Sequence, residues 1–265
     1  MPDRIDLTAS DGHTFGAWKA APSGAPKGAL LVIQEAFGVN AHIREMVDKY
    51  AAEGYLALAP QLYDRVERDV DVGYVGEDRE RGIACMKAMD FDDAMRDVEA
   101  ARDAIASGGK TGITGWCWGG SISWLAACRV SGLAASVPCY GGRIPDFKDE
   151  SPKCPVMFQW GETDASLPLD KVEEVRAAQP GTIHHIYPGA GHGFTCDHRE
   201  SYHEESAKLA HERAMAFFGE HLALSRTSPK QDRRPRQFPG AAFLVIRRWR
   251  LNSHQGQWAM LPYNV

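Results

Sequence analysis

Short apolar runs alternate with amphipathic stretches along most of the chain. Each run has the length of a buried strand, and the stretches between the runs are long enough to form helices. The runs lie at residues 29–33, 55–59, 112–114, 134–138, 156–160 and 183–187. The helical stretches lie at residues 43–53, 91–106, 121–128, 169–178 and 201–221. This alternation predicts an α/β fold, with a mostly parallel sheet covered by helices on both faces.

Two more segments are predicted to be strands, at residues 4–8 and 14–19, ahead of the alternating region. They are close enough in sequence to pair as an antiparallel edge of the same sheet. Residues 63–81 are polar, contain scattered glycines and show no clear period. We interpret them as a long surface connection, a kind of segment that is often functional.

The composition is that of an ordinary globular protein, with 44% hydrophobic and 25% charged residues. The six cysteines have neither the spacing of a zinc site nor the density of a secreted disulfide scaffold. The N-terminus lacks an apolar segment of signal-peptide length, and no apolar run is long enough to span a membrane. These observations predict a cytoplasmic protein with free thiols.

Charge is distributed unevenly along the chain. Residues 226–265 contain eight Lys or Arg and one acid, a net charge of +7, whereas the whole chain carries −5, so residues 1–225 carry −12. An acidic body argues against nucleic acid as a partner. The basic segment could contact nucleic acid or a membrane, but its prolines break every helical or strand pattern. We therefore predict one folded domain at residues 1–225, followed by a poorly ordered and non-catalytic extension, with neither kind of partner.

The strongest chemical signal is the segment at residues 115–120, GWCWGG, which lies between a predicted strand and a predicted helix. Glycines stand two positions before and two positions after Cys117. A strand, a sharp turn and a helix in this arrangement form a nucleophile elbow, where side chains at the glycine positions would clash with neighbouring elements. A thiol in this turn can ionise near neutral pH. The N–H of Trp118 would begin the helix and could face a developing oxyanion.

An elbow nucleophile needs an acid and a base, which follow it in that order along the chain. Asp164 lies in the loop after the run at 156–160, where open α/β sheets gather their catalytic groups. Glu162 and Asp170 are weaker candidates for the same role. His192 follows the run at 183–187 in a glycine-rich loop and is the predicted base.

Other histidines raise the alternative of a metal site. His184 and His185 are adjacent on a predicted strand and therefore point to opposite faces. Together with His198 and His203, they show no recognised ligand spacing. We predict neither a metal ion nor a cofactor.

These motifs together resemble the dienelactone hydrolase family. The resemblance covers residues 7–221 and rests on four segments in the family's order: QEAFG at 34–38, GWCWGG at 115–120, GETD at 161–164 and GHGF at 191–194. It implies an α/β-hydrolase fold and a carboxymethylenebutenolidase-like activity.

The resemblance also assigns roles to individual residues. It places Cys117, Asp164 and His192 on the catalytic triad of the family. It implies that Glu35 keeps the resting thiol neutral, since a nearby carboxylate opposes thiolate formation. The backbone N–H of Ala36 would be the second oxyanion donor, beside that of Trp118.

Family members that open dienelactones hold the substrate carboxylate with two arginines. The resemblance matches Arg79 to the first, although Arg81 is close enough to compete. The second would lie four residues after His192, where this chain has Cys196. Arg199, three residues further on, could replace it.

The predicted function is therefore hydrolysis of a small ester or lactone through a thioester on Cys117. The enzyme would be a monomer or a small homo-oligomer. A broader carboxylesterase or thioesterase on the same site is an alternative. A non-catalytic protein whose elbow cysteine senses oxidants is another.

Overall fold

The computed structural model describes residues 2–223 and two dipeptides, Arg250–Leu251 and Trp258–Ala259, which form a short antiparallel pair. The chain divides into two compact units, Met1–Ser225 and Arg226–Val265. The first unit is described below. Most of the predicted C-terminal extension lies outside the described residues, and its lack of order and of catalytic role stays a prediction.

Eight strands of the first unit form one mixed sheet. They are β1 (Asp3–Thr8), β2 (Thr14–Ala20), β3 (Ala29–Ile33), β4 (Leu56–Pro60), β5 (Thr111–Trp116), β6 (Leu133–Cys139), β7 (Met157–Gly161) and β8 (Ile183–Tyr187). The order across the sheet is β1-β2-β4-β3-β5-β6-β7-β8. The hairpin of β1 and β2 pairs antiparallel with β4, and all pairs from β4 to β8 are parallel. The predicted antiparallel edge and mostly parallel sheet are confirmed.

Six helices cover the two faces of this sheet. They are α1 (Ala41–Ala52), α2 (Gly76–Ala88), α3 (Phe91–Ala104), α4 (Trp118–Arg129), α5 (Leu169–Ala178) and α6 (Glu204–Leu222). Helices α1 and α6 pack in one apolar core, and α3, α4 and α5 pack in the other. No helix within residues 2–223 is long and apolar enough to cross a bilayer.

The central strand β3 shows why both faces must be covered. All five of its residues are fully buried. Because successive side chains point to opposite faces of a strand, Leu30 and Val32 enter the core of α1 and α6, whereas Leu31 and Ile33 enter the other core. An uninterrupted apolar run is therefore the sequence pattern of a central parallel strand.

One prediction about the fold is wrong. Residues 63–81 are not a structureless surface connection, because a short 3-10 helix spans Leu62–Arg65 and α2 begins at Gly76. Only Gly82 and Cys85 of α2 are buried, so the helix lacks an apolar stripe and left no helical period in the sequence. Tyr63 is only 1% exposed and belongs to the core, against its interpretation as part of a surface loop.

Candidate active site

The carboxyl ends of the parallel strands bring the predicted site residues to one edge of the sheet. Glu35 follows β3, Cys117 follows β5, Asp164 follows β7 and His192 follows β8. Strands that run parallel end at the same edge, where open α/β sheets bind their ligands. Residues more than 150 positions apart in sequence thereby come to share one site.

The turn that carries Cys117 has the geometry of a nucleophile elbow. Cys117 has φ 55° and ψ −118°, a strained conformation for a residue with a side chain. A Cβ at Gly115 would overlap the carbonyl oxygen of Gly119, and one at Gly119 would overlap that of Gln34. The two glycines are therefore required by close approach of the backbone, as the sequence pattern predicts.

Helix α4 begins directly after Cys117. Trp118 is its first residue, so its N–H has no acceptor four residues earlier within the helix. The N–H of Cys117 itself donates to the carbonyl of Cys139, 3.1 Å away, which ties the turn to β6. Cys117 thus stands at the positive end of a helix dipole, where a negative charge is stabilised.

Asp164 and His192 form a buried hydrogen-bonded pair. The distance from His192 Nδ1 to Asp164 Oδ2 is 2.7 Å. The other carboxylate oxygen of Asp164 accepts from the backbone N–H of Ser166 at 2.8 Å and of Leu167 at 3.1 Å. Asp164 is only 3% exposed. Both of its oxygens are engaged, so the carboxylate can hold the imidazole in one orientation.

Two neighbouring side chains act on the charge of His192. Burial opposes the charged imidazolium, but hydrogen bonds to Asp164 and Cys117, together with their negative charges, outweigh it and raise the pKa of His192 to about 10. Cys117 therefore lies close enough to His192 to act on the charge of its imidazole.

Glu35 and Arg199 form an ion pair in the same site. Arg199 Nη1 donates to Glu35 Oε1 at 3.2 Å, and the side chain of Glu35 is 1% exposed. Glu35 Oε2 is buried and has no hydrogen-bond partner among the described residues. The guanidinium of Arg199 also lies 5.8 Å from the ring centre of Phe37 and 5.6 Å from that of Tyr74. These contacts hold a cation within electrostatic reach of Cys117.

The other predicted substrate-binding arginines occupy different surroundings. Arg79 is exposed on α2, and its side chain has no hydrogen-bond or ion-pair partner among the described residues. Arg81 pairs with Glu67. Cys196, where the family has its second arginine, is buried and its thiol donates to the hydroxyl of Tyr74 at 3.4 Å. Arg199 is thus the arginine that the structure brings to Glu35.

Competing candidates for the acid and base are engaged elsewhere. Glu162 accepts from the N–H of Gly189 at 2.8 Å, and Asp170 is exposed in the first turn of α5. His184 accepts from Trp160 Nε1 at 3.1 Å. His203 accepts from Ser206 N–H at 3.3 Å and caps α6. Hydrogen bonds thus engage the side chains of Glu162, His184 and His203, whereas Asp170 lies exposed on α5.

Sequence reasoning missed one aromatic residue beside the base. Tyr140 follows β6, is fully buried and has a positive φ of 36°. Its ring meets that of His192 edge to face with the centres 5.2 Å apart, and its hydroxyl lies 2.6 Å from Thr195 Oγ1. A tyrosine followed by two glycines at the end of an apolar run was the available signal. Tyr140 therefore helps to fix the orientation of the imidazole.

A cavity of about 530 Å³ lies elsewhere, between α1, α6 and the sheet. Its lining includes Thr114, Gln159 and Ala210, but not Cys117, Asp164 or His192. Volume alone does not identify a reaction site, and the reactive groups converge at the elbow. We therefore place the candidate active site at the elbow.

Comparison with known proteins gives a consistent family. Residues 15–222 match the dienelactone hydrolase family. A Salmonella typhimurium protein assigned as a carboxymethylenebutenolidase is 36% identical over 233 residues, covering 80% of this chain and 85% of that protein. A carboxymethylenebutenolidase of Pseudomonas putida is 33% identical over 227 residues, covering 82% and 96%. A Klebsiella pneumoniae crystal structure assigned as a dienelactone hydrolase has a TM-score of 0.71 at 32% identity, covering 82% and 99%.

Proposed function

The chain belongs to the dienelactone hydrolase family and is a carboxylic ester hydrolase, and from this premise we propose that it opens a small ester or lactone through a Cys117-His192-Asp164 triad and a thioester intermediate. The observation that carries the proposal is the 2.7 Å hydrogen bond between His192 and Asp164, together with the strained turn that presents Cys117 at the same edge of the sheet. A nucleophile, a base and an orienting acid in contact are the requirements of covalent acyl transfer.

Acylation begins when His192 takes the thiol proton, which leaves an imidazolium beside the thiolate of Cys117. Its sulfur attacks the ester carbonyl carbon, and the carbonyl electron pair moves onto oxygen. The resulting oxyanion would accept hydrogen bonds from the backbone N–H of Ala36 and Trp118, and each such donor contributes roughly 3–4 kcal/mol. The ester C–O bond then breaks, the leaving alkoxide or enolate takes the proton of the His192 imidazolium, and an acyl thioester remains.

Deacylation returns the enzyme to its starting state. Neutral His192 takes a proton from water, and the hydroxide attacks the thioester carbonyl carbon. Collapse of the second tetrahedral intermediate expels the Cys117 thiolate and releases the carboxylic acid. Asp164 stabilises the imidazolium in both halves of the cycle, which is why its buried position and two backbone hydrogen bonds matter.

In the resting enzyme, Glu35 restrains the nucleophile. A buried carboxylate at the same edge of the sheet opposes thiolate formation, and Glu35 Oε2 has no hydrogen-bond partner among the described residues. The other oxygen is held by Arg199. A substrate carboxylate that competes for this guanidinium would disturb the pair when it binds.

The substrate class follows from the same arginine. A guanidinium binds a carboxylate through two parallel hydrogen bonds. We therefore propose that the preferred esters or lactones carry a carboxylate, as the name carboxymethylenebutenolidase indicates for the relative in Pseudomonas putida. Arg79 stays a second candidate for this contact.

A cytoplasmic location and a monomer or small homo-oligomer also stay predictions.

Trapping the covalent intermediate tests the nucleophile. The purified enzyme is mixed with aryl esters, lactones and a dienelactone, quenched in acid and measured by intact mass and peptide mapping. We expect one acyl group on Cys117, and none in Cys117→Ala. Cys154→Ala is the matched control, because burial raises the pKa of Cys154 to about 11 and it lies outside the site. Turnover without an acyl group on Cys117 would reject the mechanism while leaving the family intact.

A matched pair of substrates tests the arginines. We would measure kcat/KM for a carboxylate-bearing ester and its methyl ester with Arg199→Lys and Arg79→Ala. A charge-assisted hydrogen bond contributes about 1.5–3 kcal/mol, so Arg199→Lys should lower kcat/KM for the anionic ester by about 10- to 150-fold and barely change the neutral one. The same selective loss in Arg79→Ala alone would transfer the role to Arg79. Equal turnover of both esters by the wild type would favour a broader carboxylesterase.

A further inference from the structure

One buried histidine, one histidine nearer the surface and two exposed carboxylates meet beside the edge of the sheet that carries Cys117. His42 and Glu45 lie three positions apart on α1 and so share one face of that helix. Asp197 and His198 lie in the loop that joins β8 to α6. The ligand atoms of all four side chains lie within 4.8 Å of one another. None of the four belongs to the proposed catalytic machinery.

The ligand atoms of this cluster lie near the separations of a coordination site, and small side-chain rotations would bring them to those values. His42 Nδ1 lies 3.4 Å from Asp197 Oδ1, and His198 Nε2 lies 3.9 Å from the same oxygen and 2.8 Å from Glu45 Oε2. Ligand atoms of a tetrahedral zinc ion, at bonds of 2.0–2.2 Å, are about 3.3–3.6 Å apart. The carboxylates of Glu45 and Asp197 are 60% and 61% exposed and can turn toward a shared centre.

The cluster brings two imidazoles beside two carboxylates. The ring centres of His42 and His198 are 5.5 Å apart, and His198 Nε2 lies 2.8 Å from Glu45 Oε2. The side chain of His42 is only 4% exposed, so burial fixes one member of the set in place. One divalent cation would neutralise both carboxylates and use the lone pairs of both imidazoles.

We propose that His42, Glu45, Asp197 and His198 form a binding site for a divalent transition-metal ion of the zinc type. Two imidazole nitrogens with two carboxylate oxygens suit zinc and its neighbours, whereas magnesium and calcium prefer oxygen alone. The protein supplies all four positions of a tetrahedral ion, so the site is structural and leaves no position for substrate. The ion would tie α1 to the loop that carries Arg199 next to His198.

Titration of the metal-free enzyme tests the site directly. Chelator-treated protein is titrated with Zn²⁺ by calorimetry and with Co²⁺ by absorption spectroscopy, using wild type, His198→Ala, Glu45→Gln and His211→Ala. His211 is the matched control, because its Nε2 makes a 2.6 Å contact with Glu53 but it belongs to no such cluster among the described residues. Loss of an outer-shell partner alone lowers metal affinity about 10- to 100-fold. We therefore expect His198→Ala to lose more than about 100-fold, and His211→Ala to be unchanged.

Three further readouts decide the outcome. We expect one Zn²⁺ per chain, intense Co²⁺ bands typical of a tetrahedral site, and no sulfur-to-cobalt charge-transfer band. Zn²⁺ at 100 times its Kd should also raise the Tm of the wild type by roughly 5–11 °C. Glu45→Gln, changed at an exposed side chain, keeps the test valid if His198→Ala folds poorly. Absence of binding, thiolate ligation, or equal affinity in His198→Ala and His211→Ala would overturn the proposal.

Discussion

The pair of Glu35 and Arg199 should be worth much more to stability than a surface ion pair of similar length. Replacing Arg199 by Met removes the cation but leaves the carboxylate of Glu35, which is 1% exposed and already has one oxygen without a partner. Breaking a buried pair in this way costs about 3–5 kcal/mol. Arg199 is 21% exposed, so partial hydration places the expected loss near the lower end, about 3 kcal/mol.

A double variant separates the cost of the uncompensated buried charge from the cost of lost packing. In Glu35→Gln/Arg199→Met the buried group is neutral, so the remaining cost is mainly that of one missing hydrogen bond, about 1 kcal/mol. The double variant should therefore be about 2 kcal/mol more stable than Arg199→Met. Arg176→Met is the control, because Arg176 lies 2.6 Å from Glu173 but the two side chains are 46% and 57% exposed. It should lose no more than about 0.5 kcal/mol.

Urea unfolding followed by circular dichroism gives the free energies, and thermal unfolding gives a second measurement. For a domain of this length, a loss of 3 kcal/mol corresponds to a fall in Tm of roughly 6–12 °C. If Arg199→Met is no less stable than Arg176→Met, the reasoning from burial is wrong. If the double variant is no more stable than Arg199→Met, the loss comes from packing and not from an uncompensated charge.

Three other predictions concern the triad and the C-terminal segment. Cys117→Ser should stay folded and lose most activity in ester assays, because His192 must then deprotonate a far weaker acid; retained turnover in Cys117→Ala would contradict the assignment. Asp164→Asn should lower kcat/KM by about 10- to 150-fold. It should also move the alkaline limb of the pH profile to lower pH, because the carboxylate raises the pKa of His192. An unmoved limb would argue against this contact. Folding raises that pKa from 6.5 to about 10, so protonated His192 adds stability that is complete below pH 6.5 and lost as the pH rises toward 10. The free energy of unfolding, measured across this range, should therefore fall less with pH in Asp164→Asn than in the wild type. Truncation after Ser225 should leave kcat unchanged, and a large loss in a folded protein of unchanged oligomeric state would show that residues 226–265 contribute to the site.

The sequence by itself determined the parts of this protein that depend on local pattern. Apolar runs of strand length separated by amphipathic stretches predicted the mostly parallel sheet, because burial on both faces requires such runs. The glycines around Cys117 predicted the elbow, since backbone atoms occupy the space where their side chains would be. The positions of Asp164 and His192 after successive strands predicted that the two would meet, because parallel strands end at one edge.

Only the tertiary structure decided which distant polar groups meet. Glu35 and Arg199 are 164 positions apart, and Glu45 and His198 are 153 positions apart, so no local spacing in the sequence predicts either contact. Helix α2 was missed for a related reason, since it buries only Gly82 and Cys85 and leaves no periodic trace. Periodicity records which side of an element is buried, whereas the partner of a buried charge is chosen by the packing of whole elements against one another.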